Sequence, residues 1–584
     1  MSKKLPSVDA VMVGVGWTGG ILAAELTRAG LSVVGLERGQ SRDANVEFAF
    51  PHIRDELKYG IRFGLMQDVS RDTLTFRNSA DQMALPMRQL GSFLLGNGTG
   101  GAGAHWNGQT WRWTPYDFEI YSQTVKRYGK GAIDDGMLIQ DWGVTYQELE
   151  PFFDKFEHTA GIGGTAGNLQ GKVQAGGNPF EGPRARAYPN PPMKRSQLGD
   201  LFQNATQNLG YHPFPGPSAN MTQAYTNPDG QALGACMYCG FCERFGCDYN
   251  AKASPNNTVL PTALATGKFE VRHDANVVRV NMDSSKKRAV SVTYVDLITG
   301  EEIEQPAEMI FLTSFTFGNV KLLMVSGIGD IYDPVTNKGI VGRNYTYQLS
   351  AGAGGTITGK DFKVFAGAGS ESVVIDDFNG DHFDHTGLGF LHGGSISASS
   401  TGARPIQSNP GGSGWGSAWK KAAAAAYNTS VGIGAQVASL PFRQNHLDLD
   451  PTYRDAYGHP LVRMTFDYRG NERKRSQYLA EVNVKILTEM GAKNVAGRSV
   501  PEHYTIVPYQ STHNQGGAIM GMDPANSVVN PYMQHHQVSN LFVVGASSFP
   551  HNSGFNPTGT VGAVTYRLAD AIVKRYIKAP GPLT

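Results

Sequence analysis

The sequence predicts an α/β fold in which a Rossmann-like dinucleotide-binding domain is joined to a discontinuous domain built on an antiparallel sheet. Three observations predict it. The chain opens on an apolar run, a glycine-rich turn, an amphipathic stretch and a second apolar run ending on an acid, the order of a β-α-β unit. Two later segments, "SAGAGGTITG" and "LVRMTFDYRG", alternate in polarity as half-buried strands do. With 584 residues, 40% hydrophobic and 17% charged, the chain can bury a large core divided between at least two domains.

The first of these elements is "VDAVMVGVGWTGGILAAELTRAGLSVVGLERG". It reads as a strand from Val8 to Val13, a turn, a helix from about Gly19 to Ala29, and a strand ending on Glu37. Gly14 permits the tight turn, Gly16 lets a pyrophosphate approach the backbone at the helix N-terminus, and Gly19 lets helix and strand pack closely. Glu37 stands where an acid binds a ribose hydroxyl pair. A glycine-rich packing turn is the plainer reading, but strand, helix, second strand and terminal acid all fall in order. This unit alone does not choose between FAD and NAD.

Glycine, 72 residues in all, is concentrated in "GNGTGGAGAHWNG" and "HGGSISASSTGARPIQSNPGGSGWGSAW", which predicts long loops where backbone meets a ligand or another backbone. "KKAAAAAY" (Lys420 to Tyr427) predicts a short helix by propensity. Lys plus Arg number 51 against 50 Asp plus Glu, with no basic stripe interleaved with aromatics, so nucleic acid is not an expected partner. No apolar run approaches the ~20 residues that span a bilayer, and "MSKKLPSVDA" leads into a strand without a signal-peptide core.

Five motifs then fall in a recognisable order: the N-terminal fingerprint, "GTGGAGAHWNG", "KLLMVSGIGD" with "GIVGRNYTYQ", "THNQGGAIMG", and "GFNPTG" followed by a helix. The chain resembles the glucose-methanol-choline (GMC) oxidoreductases from its first strand to its last helix. The resemblance implies FAD, held by Gly14, Gly16, Gly19, Glu37, Gly101, His105, Trp106, Asn107, Val277, Gly545, Ala546 and Asn556. It implies a discontinuous FAD-binding domain (1–160, 230–345 and 505–584) and a substrate-binding domain (161–229 and 346–504) whose antiparallel sheet roofs the flavin. Two departures stand out: Gly545 replaces a usual Asp, and Gln348 stands where many members have His.

Oxidising an alcohol by hydride transfer needs a base for the hydroxyl proton and a second polar group to orient the oxygen. The family motif assigns these to His513 and Asn556, with His551 and His105 as nearby candidates. The plainer readings are a buried structural histidine for His513 and a helix N-cap for Asn556 ahead of Pro557. His105 follows the glycine pair at the spacing of relatives whose flavin is covalently bound to histidine, so attachment of FAD through His105 is expected, against a noncovalent packing role.

Every cysteine of the chain lies in "GACMYCGFCERFGCDYN", at Cys236, Cys239, Cys242 and Cys247. C-x2-C-x2-C-x4-C is close to a bacterial ferredoxin spacing and suits an iron–sulfur cluster, with zinc and thiol or disulfide chemistry as the alternatives. A subgroup of the family, catalytic subunits acting on sugars and sugar acids, carries such a loop and binds a 3Fe-4S cluster. Three ligands suffice, Cys242 and Cys247 first, with Cys236 or Cys239 as the third. The resemblance therefore implies dehydrogenation of a sugar or sugar acid, gluconate-type 2-dehydrogenation favoured, with electrons leaving through the cluster. It also implies partners: a small subunit carrying an export signal and a membrane-anchored multihaem cytochrome c that hold the chain at the periplasmic face of the inner membrane. The alternatives are a soluble cytoplasmic flavoenzyme, a sugar oxidase of the pyranose-oxidase type, and a non-catalytic electron-transfer flavoprotein.

Overall fold

The computed structural model describes residues 3–48, 59–60, 62–399 and 414–584. Residues 400–413, within the second glycine-rich stretch, lie outside the described residues. The strand Val8–Val13 is apolar and lies in parallel register between Val33–Leu36 and the long strand Glu302–Leu312. Phe269–Arg272 pairs with the free side of Val33–Leu36 and closes that edge of the sheet. Two further strands, Ala275–Met282 and Ala289–Asp296, extend Glu302–Leu312 as an antiparallel meander. Leu541–Val543, near the end of the chain, pairs in parallel with Ile310 to Leu312. Strands buried on both faces read as continuous apolar runs, as "AVMV" does.

The first helix is Trp17–Arg28 and begins two residues before its expected start. Gly16 precedes it in an extended conformation and no side chain caps it, so nothing in the sequence marks the boundary. Ten of its twelve residues are buried. It packs between Val259–Leu264 and Thr558–Ala571, and a Cβ on Gly20 would lie 2.6 Å from Val259 Cγ2. Glycine there sets the close approach of the helices.

Above this layer stands a six-stranded antiparallel sheet in the order Lys493–Arg498, Leu349–Thr356, Ser430–Val437, Gly394–Ser399, Ser372–Ile375 and Phe214–Pro215. The helix Gly470–Glu489 covers its outer face. "SAGAGGTITG" supplies one of these strands, as expected. "LVRMTFDYRG" does not: its strand Pro460–Thr465 belongs to a separate four-stranded sheet with His446–Arg454, Thr75–Arg77 and Leu85–Pro86. The alternation specified a strand and left its partner open, and Thr75–Arg77 is remote in sequence. The alanine-rich helix is Gly416–Tyr427, longer than expected and without a buried residue.

Candidate active site

Between the parallel sheet and the six-stranded sheet lies a cavity of about 910 Å³, near the upper end of cofactor-sized clefts. Its floor is the glycine turn. Gly14 has φ +105°, and a Cβ there would lie 2.9 Å from Ser314 Cα, so both conformation and space demand glycine. A Cβ on Gly16 would meet only Gly100 O, at 3.8 Å, and one on Gly101 only Gly16 Cα, at 3.6 Å. Gly16 and Gly101 thus face each other across a gap at the N-terminus of the first helix, a cradle for pyrophosphate. Gly19 is within the helix and does not line the cavity; its Cβ would collide with Gly14 O at 2.3 Å. Glu37 is buried, and its carboxylate accepts from Val15 N (3.0 Å) and Gly39 N (2.9 Å), fixing it at the tip of its strand beside the turn.

Trp106, Asn107, Val277, Gly545 and Ala546 also line the cavity. His105 does so with a buried Nε2 that has no hydrogen-bond partner among the described residues. Burial pushes its pKa down to about 3, so the ring is neutral.

The chemistry-bearing groups converge at the other end of the cavity. His513 Nδ1 meets Gln348 Oε1, and His513 Nε2 lies 3.3 Å from Asn556 Nδ2. Gln348 Nε2 donates to the carbonyls of Ser553 (3.3 Å) and Phe555 (3.2 Å), which fixes Oε1 toward the histidine as an acceptor. The proton of neutral His513 therefore resides on Nδ1, and Nε2 keeps a lone pair. Trp111 Nε1 donates to Asn556 Oδ1 at 3.0 Å, and an indole N–H can only donate, so the Asn556 amide presents Nδ2 to His513. Trp111 also stacks on Phe555 with centroids 4.9 Å apart, while Trp113 Nε1 reaches Asn556 O at 3.2 Å. Burial lowers the His513 pKa to about 4.

Asn556 is not an N-cap. The last long helix is Thr558–Ala571, preceded by Pro557, and no side chain caps it. The Asn556 amide is used on Trp111 and His513 instead. His551 lies away from the cavity. Its Nδ1 accepts from Trp142 Nε1 (3.4 Å), and its Nε2 and that of His392 (2.9 Å) both donate to Asp117 Oδ1. Gly393 N donates to His392 Nδ1 at 2.8 Å, which fixes that tautomer. Burial opposes the Asp117 charge, but the two imidazole hydrogen bonds hold its pKa well below the usual carboxylate range. Next in sequence, Asn552 Nδ2 donates to His513 O at 2.8 Å, so this buried trio backs the loop that carries the site.

None of the four cysteines is in a disulfide. Tyr238 N donates to Cys236 Sγ at 3.4 Å and Ala251 N to Cys247 Sγ at 3.3 Å, while Cys242 is buried. Among the described residues, no three of these thiols have sulfurs within 4.8 Å of one another. A zinc tetrahedron would draw four sulfurs to about 3.8 Å. The loop is stitched to the cavity wall: Arg244 N donates to His105 O at 2.6 Å, and Glu243 and Arg244 line the cavity. The buried Lys252 ammonium donates to Trp106 O (2.5 Å), Cys242 O (2.8 Å) and Phe245 O (2.8 Å), tying the two segments together.

Residues 218–350 and 441–565 match the two sequence profiles of the GMC oxidoreductases. The chain is 45% identical to the gluconate 2-dehydrogenase flavoprotein of Pantoea cypripedii over 100% of its own length and 96% of that protein's. It is 25% identical to the fructose dehydrogenase large subunit of Gluconobacter japonicus, over 98% and 99% of the two chains. The chain belongs to the GMC oxidoreductase family. Among solved structures, the crystal structure of pyridoxine 4-oxidase from Mesorbium loti matches with a TM-score of 0.57 at 17% identity, covering 96% of this chain and 98% of that one, a likeness of fold.

As a GMC oxidoreductase the chain is an FAD-dependent enzyme acting on an alcohol, and the cavity fits that cofactor. The Gly16–Gly101 gap suits the pyrophosphate, Glu37 the ribose, and the unpartnered His105 Nε2 the flavin end. Sequence reasoning missed what holds the pair His513 and Asn556. Gln348 was visible only as a departure from the family pattern. Trp111 and Trp113, in "TWRWT", carried no signal beyond their apolar type.

Proposed function

We propose that this GMC oxidoreductase is the catalytic flavoprotein subunit of a sugar-acid dehydrogenase, acting on a gluconate-type substrate. The observation that carries the reading is the thiol loop bonded to the His105–Trp106 wall of the cavity that also contains His513 and Asn556. The likeness to a gluconate 2-dehydrogenase flavoprotein along the whole chain supports the substrate class. His513 Nε2 accepts the hydroxyl proton as the alcohol carbon is oxidised, and the new N–H stays beside Asn556. Asn556 Nδ2 donates to the substrate oxygen and holds it in place. Gln348 Oε1 keeps the other imidazole proton on Nδ1 and so preserves the lone pair. Bound FAD supplies the hydride acceptor, held by Gly14, Gly16, Glu37, Gly101, Asn107, Val277, Gly545 and Ala546, with a covalent bond to His105 as part of this reading. In this reading the segments 161–229 and 346–504 bind substrate and the segments 1–160, 230–345 and 505–584 bind FAD.

Cys236, Cys239, Cys242 and Cys247 would hold an iron–sulfur cluster of 3Fe-4S type, which passes electrons singly. The donor set of four clustered thiols is of the kind such a group takes. Backbone N–H donors on two sulfurs and the nearby buried ammonium favour the thiolate form, while burial opposes it and pushes the Cys236 thiol up to about 12 and the Cys242 thiol higher still. A cytochrome c and quinone partner would take the electrons, and a small subunit would supply export to the periplasmic face of the inner membrane. No described helix is long and apolar enough to cross a membrane, consistent with anchoring by partners.

The test is anaerobic mixing of purified holoprotein with gluconate, glucose, fructose and sorbitol, together with iron and sulfide analysis. The reading expects gluconate to bleach the flavin and iron to accompany it. Cys247→Ser should leave bleaching intact and slow reduction of cytochrome c. Flavin without iron, reoxidised rapidly by oxygen, would instead indicate an oxidase.

A further inference from the structure

The inner face of the six-stranded sheet carries a patch that the proton-transfer groups do not use. Gly352 pairs with Gly434 and Gly354 with Gly432 across neighbouring antiparallel strands, so the four glycines pave one face of the sheet. None has positive φ, so backbone conformation does not require glycine at any of them. Packing does not require it at three: among the described atoms a Cβ on Gly354, Gly432 or Gly434 would meet only a neighbouring strand carbonyl, no nearer than 3.6 Å. Glycine within a strand costs about 0.5–1 kcal/mol relative to alanine. A strand glycine without either constraint marks a bulge or a place where something else approaches the backbone closely. The register shift between Gly354 and Thr356 accounts for Gly354 and leaves Gly432 and Gly434 for the second reading.

One row of the sheet crosses this patch: Arg498 pairs with Gly352, Gly352 with Gly434, and Gly434 with Ser397. Gly497 turns toward the outer helix, where its Cβ would lie 3.0 Å from Val484 Cγ2. Strand alternation then turns Arg498 to the cavity side of the sheet, where it is exposed and lines the same cavity as His513. The next row holds Ser350 opposite Gln436, and Gln436 touches Gln348. Four arginine or lysine residues line the cavity besides the histidines. Arg38 pairs with Asp72 and Lys321 with Asp455 (2.7 Å), and Arg244 stacks on the Tyr509 ring at 4.9 Å. Arg498 has no ion-pair partner among the described residues and stands beside the bare glycines.

We infer that Arg498 is the residue that reads the carboxylate of a sugar-acid substrate, with Gly434, the one of the four glycines that lines the cavity, providing room for the polyol and Ser397 a hydroxyl partner for it. This rests on the sugar-acid reading above and adds to it the group that separates acids from neutral sugars. A guanidinium offers two parallel N–H donors to a carboxylate, and a neutral polyol has no charge to return.

The experiment measures kcat/KM of the holoenzyme for gluconate and for glucose, in wild type, Arg498→Gln and Arg498→Lys. One charge-assisted hydrogen-bond pair corresponds to a fall of about 10–100-fold in the acid-to-neutral ratio for Arg498→Gln, with partial recovery in Arg498→Lys. FAD content and melting temperature report whether the variants fold. Gly434→Val, which fills the patch, should raise KM for the acid. An equal effect of Arg498→Gln on both substrates, no effect, or selective loss in Arg244→Gln in place of Arg498→Gln overturns the inference and leaves the proposed function standing. A wild-type enzyme whose flavin is bleached by neutral sugars and by no sugar acid overturns both.

Discussion

A glutamine decides which nitrogen of His513 keeps its lone pair. The Gln348 amide is held the right way round by two backbone carbonyls, so the imidazole must donate from Nδ1 and keep Nε2 as a base. His513→Ala should lower the rate of flavin bleaching by substrate about 10²–10⁴-fold while FAD stays bound, measured by stopped flow. Near-normal bleaching would remove His513 from proton transfer. Burial also sets the working range. With the folded pKa at about 4, Nε2 is free to accept a proton above that pH and blocked below it. The kcat/KM profile should stay level down through pH 6.5, the ordinary histidine value, and fall only as pH drops through about 4. His513 and Asn556 were legible in sequence because their motifs are distinctive. The geometry that makes them a pair was not, since Gln348, Trp111 and Asn556 are far apart along the chain and meet only in the folded protein.

Among the elements, those whose contacts are local were legible. The opening strand, turn and helix follow from glycine placement and apolar runs, and only the helix start was misplaced, because a glycine precedes it and no side chain announces it. The strand in "LVRMTFDYRG" was recognised as a strand and assigned to the wrong sheet, because periodicity encodes two faces and says nothing of the neighbour. The thiol loop was recognised from its spacing, but its anchor was not. Lys252 satisfies three backbone carbonyls from two segments, and three acceptors require the protonated amine, which burial alone would discourage. Lys252→Met keeps the length and leaves those carbonyls unpaired. It should cost about 2–4 kcal/mol, read as a lower melting temperature, and, if the loop holds the cluster proposed above, lower iron content. A variant with wild-type melting and iron would show the loop to be held by other means.

At the scale of the whole molecule, the cavity is assembled from both ends and the middle of the chain: Glu37 from the second strand, His105 from the glycine bend, Gln348 from the roof, His513 and Asn556 from the last eighty residues. No local pattern could bring these together, and the sequence reached them through motif order. One global property can be read without a substrate. If FAD is bonded to His105, acid-precipitated wild-type protein should carry yellow flavin in the pellet, and His105→Ala should release it to the supernatant. Flavin wholly in the wild-type supernatant would leave His105 a noncovalent neighbour.

The long strand Glu302–Leu312 is flanked by Val8–Val13 on one side and Leu541–Val543 on the other. A ribosome delivers the first of these early and the last only when nearly all of the chain has been made. Until then Ile310 to Leu312 lack their partner on that side and Asn556 has not been made, so the cavity that takes the cofactor stays open until the end of synthesis. Such long-range closure is slow to form. Nascent chains stopped before residue 540 should therefore emerge colourless and need holding by chaperones, while chains released after 573 should turn yellow when FAD is supplied.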